Sequence, residues 1–124
     1  MTIEKKLLGT NPSGGGAVNV ADVFSAYLYK GTSSAHTITN GIDLAGEGGM
    51  VWIKDRSTSK SNAVFDTERG ATKRVQTDKT QAEITSSTAL TSFNSNGFTV
   101  QDTVANESPD NFVSWTFRKA PKFF

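Results

Sequence analysis

The segment Gly46-Glu47-Gly48-Gly49-Met50-Val51-Trp52-Ile53-Lys54-Asp55-Arg56 constrains this chain more than any other. In an extended backbone Met50 and Trp52 fall on one side, Val51 and Ile53 on the other. A strand that is apolar on both sides is expected between two layers, with neither side facing water. It is entered through glycines, read as a tight approach into a sheet. It stops in charge at Lys54-Asp55-Arg56 and in the polar run 57–62. Asn62-Ala63-Val64-Phe65-Asp66 then reads as its antiparallel return.

Length and composition extend this to the whole chain. The 124 residues suit one domain. Only 35% are hydrophobic, and 16 Thr, 13 Ser, 8 Asn and 11 Gly fill much of the remainder. Thr favours strands, while Ser, Asn and Gly favour turns. The expectation is an all-β fold, an antiparallel two-sheet β-sandwich. Thirteen Lys and Arg against 12 Asp and Glu leave a net charge of +1, so nucleic acid is not an expected partner. Without cysteine, disulfides, thiolate metal sites and cysteine nucleophiles are excluded. No apolar run approaches the roughly 20 residues of a membrane span, so membrane insertion is not expected. Lys5 and Lys6 lack the apolar run that a secretory signal places behind its charges.

Residues 1–22 read as an N-terminal arm with a Gly-rich linker at Gly14-Gly15-Gly16, and 23–124 as the sandwich domain. The glycines lack the flanking strand and helix of a phosphate loop. Val23–Tyr29 reads as a strand. Ala35–Thr39 is expected to return against it as a hairpin, with Asn40-Gly41 as a turn. Residues 67–75 read as a loop or short strand, and 76–88 as a long polar surface excursion. Leu90–Phe93 and Phe98–Gln101 form the clearest hairpin, with Asn96-Gly97 at its tip. A loop over 102–110 precedes the last strand, Asn111–Arg118, on which Val113, Trp115 and Phe117 share the more apolar side. Trp52, Trp115, Phe93, Phe98, Phe112 and Phe117 are assigned to the core, with Trp52 and Trp115 as neighbours between the sheets. Tyr27 and Tyr29 are expected to present polar tips at an edge. Phe123 and Phe124 either pack back on the core or lead into a continuation beyond residue 124, and the continuation is the favoured reading.

The chemistry on offer is sparse. His36 is the single histidine and reads as a surface or packing residue. There is no Gly-x-Ser-x-Gly elbow and no EF-hand spacing. Asp66 and Glu68 are the one carboxylate pair two apart after an apolar strand, as a sandwich glycosidase would need, but Arg69-Gly70 beside them favours an ion-paired turn. Neither an enzyme, a cofactor nor a metal is expected. Lys54, Arg56, Arg69 and Lys73 are the candidate contacts for a partner or a glycan.

Several stretches in order resemble a domain of tailed-bacteriophage virion proteins. They are Leu7-Leu8-Gly9, Thr37–Leu44, Gly46–Arg56, Phe65–Ala71, Leu90–Phe98 and Val113–Phe124. The similarity runs from about Tyr27 to the end of the chain, more loosely in the arm. It implies a concanavalin-like, lectin-like sandwich within a tail fibre or another minor structural protein. It further implies a virion protein of the tail, made in the host cytoplasm. The domain would dock onto other tail or baseplate proteins and form a homo-oligomer, expected as a trimer. A lectin-like module binding host surface glycan is the alternative. The family carries no catalytic or ligand residues to transfer.

Overall fold

The computed structural model describes residues 18–124. One helical turn, α1 (Val20–Val23), opens this part, capped by the Asn19 side chain, which accepts from Ala21 N at 3.0 Å. The strands are β1 (Phe24–Lys30), β2 (His36–Thr39), β3 (Gly49–Asp55), β4 (Ala63–Asp66), β5 (Lys73–Val75), β6 (Ile84–Thr85), β7 (Leu90–Asn94), β8 (Gly97–Val100) and β9 (Asn111–Arg118). Two further helical turns, α2 (Leu44–Glu47) and α3 (Thr103–Asn106), are capped by Asp43 and Asp102. The strands form two antiparallel sheets, a six-stranded one in the order β1-β9-β3-β4-β5-β6 and a three-stranded one in the order β2-β8-β7. The chain is thus an all-β, two-sheet sandwich.

The core lies between the sheets. The large sheet contributes Tyr29, Phe112, Val51, Ile53, Ala63 and Phe65, and the small sheet Ile38, Phe98, Val100 and Leu90. Ile42, Leu44, Ala89 and Ala105, from the segments between strands, belong to the same cluster. Buried Ser114 and Thr116 sit on the same side of β9 as Phe112. Their hydroxyls are satisfied, Ser114 Oγ donating to Tyr27 O at 3.4 Å and Thr116 Oγ1 accepting from Asn40 Nδ2 at 3.0 Å.

Two glycines permit close backbone approaches. A Cβ on Gly49 would stand 2.1 Å from Phe117 O, and one on Gly97 1.9 Å from Ile38 O. Gly97, at φ +154°, is the first residue of β8, and the turn itself is Ser95-Asn96. The hairpin tip therefore lies one residue earlier than the Asn-Gly signal suggests.

Strands β3, β4, β8 and β9 follow the sequence expectation closely. The excursion over 76–88 is mostly exposed, as expected, and adds only the two-residue β6 at the far edge of the large sheet. Three expectations are corrected. Residues 36–39 do not return against β1; β2 pairs with β8 in the other sheet. Tyr29 stands on the edge strand β1 but presents no exposed tip: it is 8% exposed and donates its hydroxyl to Ala105 O at 2.6 Å, whereas Tyr27 on the same strand is exposed. Trp52, Trp115 and Phe117 are not core residues. Trp52 and Trp115 are neighbours, with ring centroids 5.6 Å apart, but on the outward side of the large sheet, away from the small one. The reason is area: three short strands cannot cover both sides of a sheet whose central strands are apolar on both. The N-terminal arm expected over 1–22, including its triple glycine, lies outside the described residues up to position 17.

Candidate functional site

The outward side of the six-stranded sheet is built from the register of its strands. Phe24, Phe117 and Met50 form one row across β1, β9 and β3. Ala26, Trp115, Trp52, Val64 and Val75 form the next, running on into β4 and β5. Leu28, Val113 and Lys54 form a third. Alternation dictates this once Phe112, Ser114 and Thr116 face inward. The rings touch: Phe24 and Phe117 lie 5.1 Å apart, Trp52 meets Trp115 edge-on at 67°, and Phe124 folds to within 5.6 Å of Phe117. Phe24, Trp52, Trp115 and Phe117 line a hollow of 390 Å³. Trp52 Nε1 has no hydrogen-bond partner among the described residues. Leu28 is exposed and Phe24, Trp52, Trp115 and Phe117 are half-buried, so part of this apolar surface remains in water, and a contiguous exposed apolar patch often marks a contact.

The outward side of the small sheet is opposite in character. Thr37, Thr99 and Ser92 stand in one row, Thr39 and Asn94 in another. Thr37 Oγ1 lies 3.4 Å from Thr99 Oγ1, which also accepts from Asn94 Nδ2 at 3.1 Å. One outer side of the sandwich is thus finished in hydroxyls and amides, the other in aromatic rings.

At the Met50 end the aromatic surface meets a charged rim. A hollow of 480 Å³ is lined there by Met50, Asp66, Glu68, Arg69, Lys119 and Phe124, together with Gly49. Its charges are paired: Arg69 Nη1 lies 2.6 Å from Asp66 Oδ2 and Arg69 Nε 3.3 Å from Glu83 Oε2, while Lys119 pairs with Glu68. Asp66 thus pairs with Arg69 inside the turn, as the ion-paired-turn reading expects, whereas the partner of Glu68, Lys119, comes from the segment after β9.

Sequence reasoning missed a second polar cluster at the opposite end of β3. Asp55, Glu107 and Asp110 bring carboxylate oxygens within 4.8 Å of one another. The Lys60 ammonium pairs with Glu107 and lies 3.8 Å from both Asp55 Oδ2 and Asp110 Oδ2. Asp55 is 2% exposed. Burial works against its charge, but Ser57 N at 2.8 Å, Thr58 N at 3.2 Å and Thr58 Oγ1 at 2.9 Å donate to the carboxylate and hold its pKa below the usual range. Desolvation, a hydrogen bond shared with Asp55 and the Asp55 charge push Asp110 up, with Lys60 opposing. Burial, aided by the Asp55 charge, also raises the Tyr29 hydroxyl far above its ordinary value. With Lys60 already supplying the positive charge, the cluster locks the β3–β4 loop to the α3–β9 loop. No spacing signal in the sequence unites residues 55, 60, 107 and 110.

Beside it, buried Asn106 in α3 ties the β1–β2 loop down. Its Nδ2 donates to Ser34 O at 2.7 Å and Thr32 Oγ1 at 3.0 Å, and its Oδ1 accepts from Thr32 N at 3.1 Å. His36 Nδ1 lies 3.1 Å from the same Oδ1, and its ring meets Tyr29 edge-on, so the histidine packs as expected.

The four residues proposed from sequence as contacts do not converge. Lys54 reaches across its own hairpin loop, donating to Lys60 O at 2.8 Å, and Arg56 lies just beyond it, exposed. Arg69 and Lys73 lie at the other end of the sheet, where Lys73 Nζ donates to Thr85 Oγ1 at 2.8 Å. Roughly four strand residues, about 13 Å, separate the two pairs.

The architecture defines the class, a two-sheet antiparallel β-sandwich with one aromatic outer side. Within that class, residues 19–122 match the family model described as "Domain of unknown function (DUF7483)", and the chain belongs to this family. No curated protein and no solved structure matches it.

Proposed function

We propose that this chain is a structural module of a tailed-bacteriophage virion, part of a tail fibre or related tail protein, and that it docks onto another tail or baseplate protein through the aromatic outer side of its six-stranded sheet. The sequence resemblance supports the virion reading. The observation that carries the docking role is the outward row Ala26–Trp115–Trp52–Val64, flanked by Phe24, Phe117 and Leu28. A surface of this kind is stable in water only at a cost, and another protein's apolar surface relieves that cost. The carbohydrate reading draws less support. A sugar stacked on Trp52 or Trp115 would need hydroxyl partners close by, and the hollow is lined by four aromatic side chains alone.

The test is incorporation into particles. Phage carrying Trp52→Ser with Trp115→Ser is purified and its virions are assayed by mass spectrometry, while circular dichroism of the isolated variant verifies the fold. The expected outcome is a folded variant lost from the particle. Undiminished incorporation overturns the docking role, and tryptophan-dependent binding on a glycan array would support the lectin-like reading.

A further inference from the structure

The four sheet edges among the described residues are not alike. In the large sheet the β6 edge is only two residues long. In the small sheet β2 has four residues and β7 carries an irregularity between Leu90 and Ser92. Short or bulged edges are poor templates for further pairing. β1 is different: seven residues, Phe-Ser-Ala-Tyr-Leu-Tyr-Lys, pair without interruption with β9 on one side and with no described strand on the other. It contains no proline, no bulge and no charge before Lys30. Ala26, Tyr27 and Leu28 at its centre are exposed, Leu28 by 62%.

Backbone parity fixes which groups are unpaired. Gly31 N donates toward β9, to Asp110 O at 2.8 Å, and Tyr27 O faces β9, where Ser114 Oγ donates to it. By alternation, residues 25, 27 and 29 bond to β9, while the N–H and C=O of Ala26, Leu28 and Lys30 point away from the sheet. Phe24 contributes its carbonyl alone, since its N–H donates to Val20 O.

We propose that two copies of this chain pair antiparallel through β1 about a two-fold axis at Tyr27. In this register Ala26 meets Leu28 of the second copy as a hydrogen-bonded pair, twice over, and Lys30 N–H meets Phe24 O at each end. The strand is suited to itself in this arrangement. Its one charge is terminal, so the two Lys30 ammoniums lie about 20 Å apart, where their repulsion is screened. Each Lys30 stands beside Phe24 of the other copy, whose ring face accepts a cation. Leu28 packs against Ala26 of the other copy, and the two aromatic outer sides join into one continuous surface. The pairing stands on the strand edge alone and does not depend on the virion reading.

The chain has no cysteine, which makes a direct test possible. At Tyr27 the facing residues form a non-hydrogen-bonded pair with Cα atoms about 4.5 Å apart, within disulfide reach. Tyr27→Cys in the full-length chain is expected to form a covalent dimer under mild oxidation. Ser25→Cys, which in this register faces Tyr29 of the second copy, is expected to remain uncrosslinked. Sedimentation equilibrium of the unsubstituted chain is expected to give a reversible dimer. Ala26→Pro and Leu28→Lys, each folded by circular dichroism, are expected to give monomers. Neither substitution removes a hydrogen bond to β9. A monomer at all concentrations overturns the proposal, whether β1 amides exchange freely or are protected by another segment of the same chain. So does a trimer, or a dimer that survives both substitutions.

Discussion

At the scale of single residues, Asp55 and Asp110 illustrate how two neighbouring carboxylates are driven apart. Asp55 accepts three hydrogen bonds from the loop that follows it, while the Asp110 carboxylate lies within 4.8 Å of it and meets desolvation and the Asp55 charge. Asp55→Ala would leave the Ser57 and Thr58 donors without their acceptor, and a loss of about 1–3 kcal/mol at neutral pH is expected. Because its folded pKa is depressed, the stability Asp55 provides is present above the ordinary aspartate range and lost as pH falls through the depressed value. Asp110 has the opposite sign. Its raised pKa favours the folded state below the ordinary aspartate range, and that contribution is lost as pH rises through the raised value. Asp110→Asn is therefore expected to be more stable than the parent at neutral pH, with the difference shrinking as pH falls through the raised value. Urea denaturation of both variants across the acid range checks each direction.

At the scale of elements, the strands were legible where glycine, charge and alternation coincide. The Gly48-Gly49 entrance and the Lys54-Asp55-Arg56 stop bound β3 in the sequence as they do in the fold. What alternation could not tell was which side faces in. On β9 the more apolar side, Val113, Trp115 and Phe117, points outward, and the side with Ser114 and Thr116 is buried. Both sides of β3 and β9 are apolar enough for burial, so the choice rests on which sheet lies opposite, a non-local fact. The pairing of β2 with β8, some 60 residues later, escaped for the same reason, because a nearby hairpin is the cheaper closure. The short α2 and α3 turns were missed because their signals reduce to a single capping aspartate each. The close approaches predict a consequence of their own. Gly49→Ala and Gly97→Ala each drive a Cβ into a neighbouring carbonyl that belongs to a paired strand and has little room to yield. A loss of at least about 1–3 kcal/mol in each is expected by analogy with overpacked cores, read as a lowered denaturation midpoint. Gly41→Ala, where φ is +84° but nothing lies within 4 Å, separates backbone strain from collision and is expected to cost less.

At the scale of the whole molecule, the sandwich has two apolar layers, the core between its sheets and the aromatic outer side of the large sheet, and they should answer differently to mutation. Phe98 and Phe112 are fully buried between the sheets. Either one changed to alanine leaves a cavity that the packed neighbours cannot fill, at an expected cost of about 3–5 kcal/mol. Trp115 is larger than either, but its ring rests on a sheet whose outward side remains partly in water. In the folded monomer it recovers only part of its transfer free energy, so Trp115→Ala is expected to cost about 1–2 kcal/mol. Equilibrium denaturation of dilute protein, where any self-association is suppressed, makes the comparison. A tryptophan that proved as costly as Phe112 would belong to the core, and the outer side would then be a second interior rather than a contact surface. A cheap substitution that nevertheless removes the chain from its assembly would locate the missing part of that free energy in the partner.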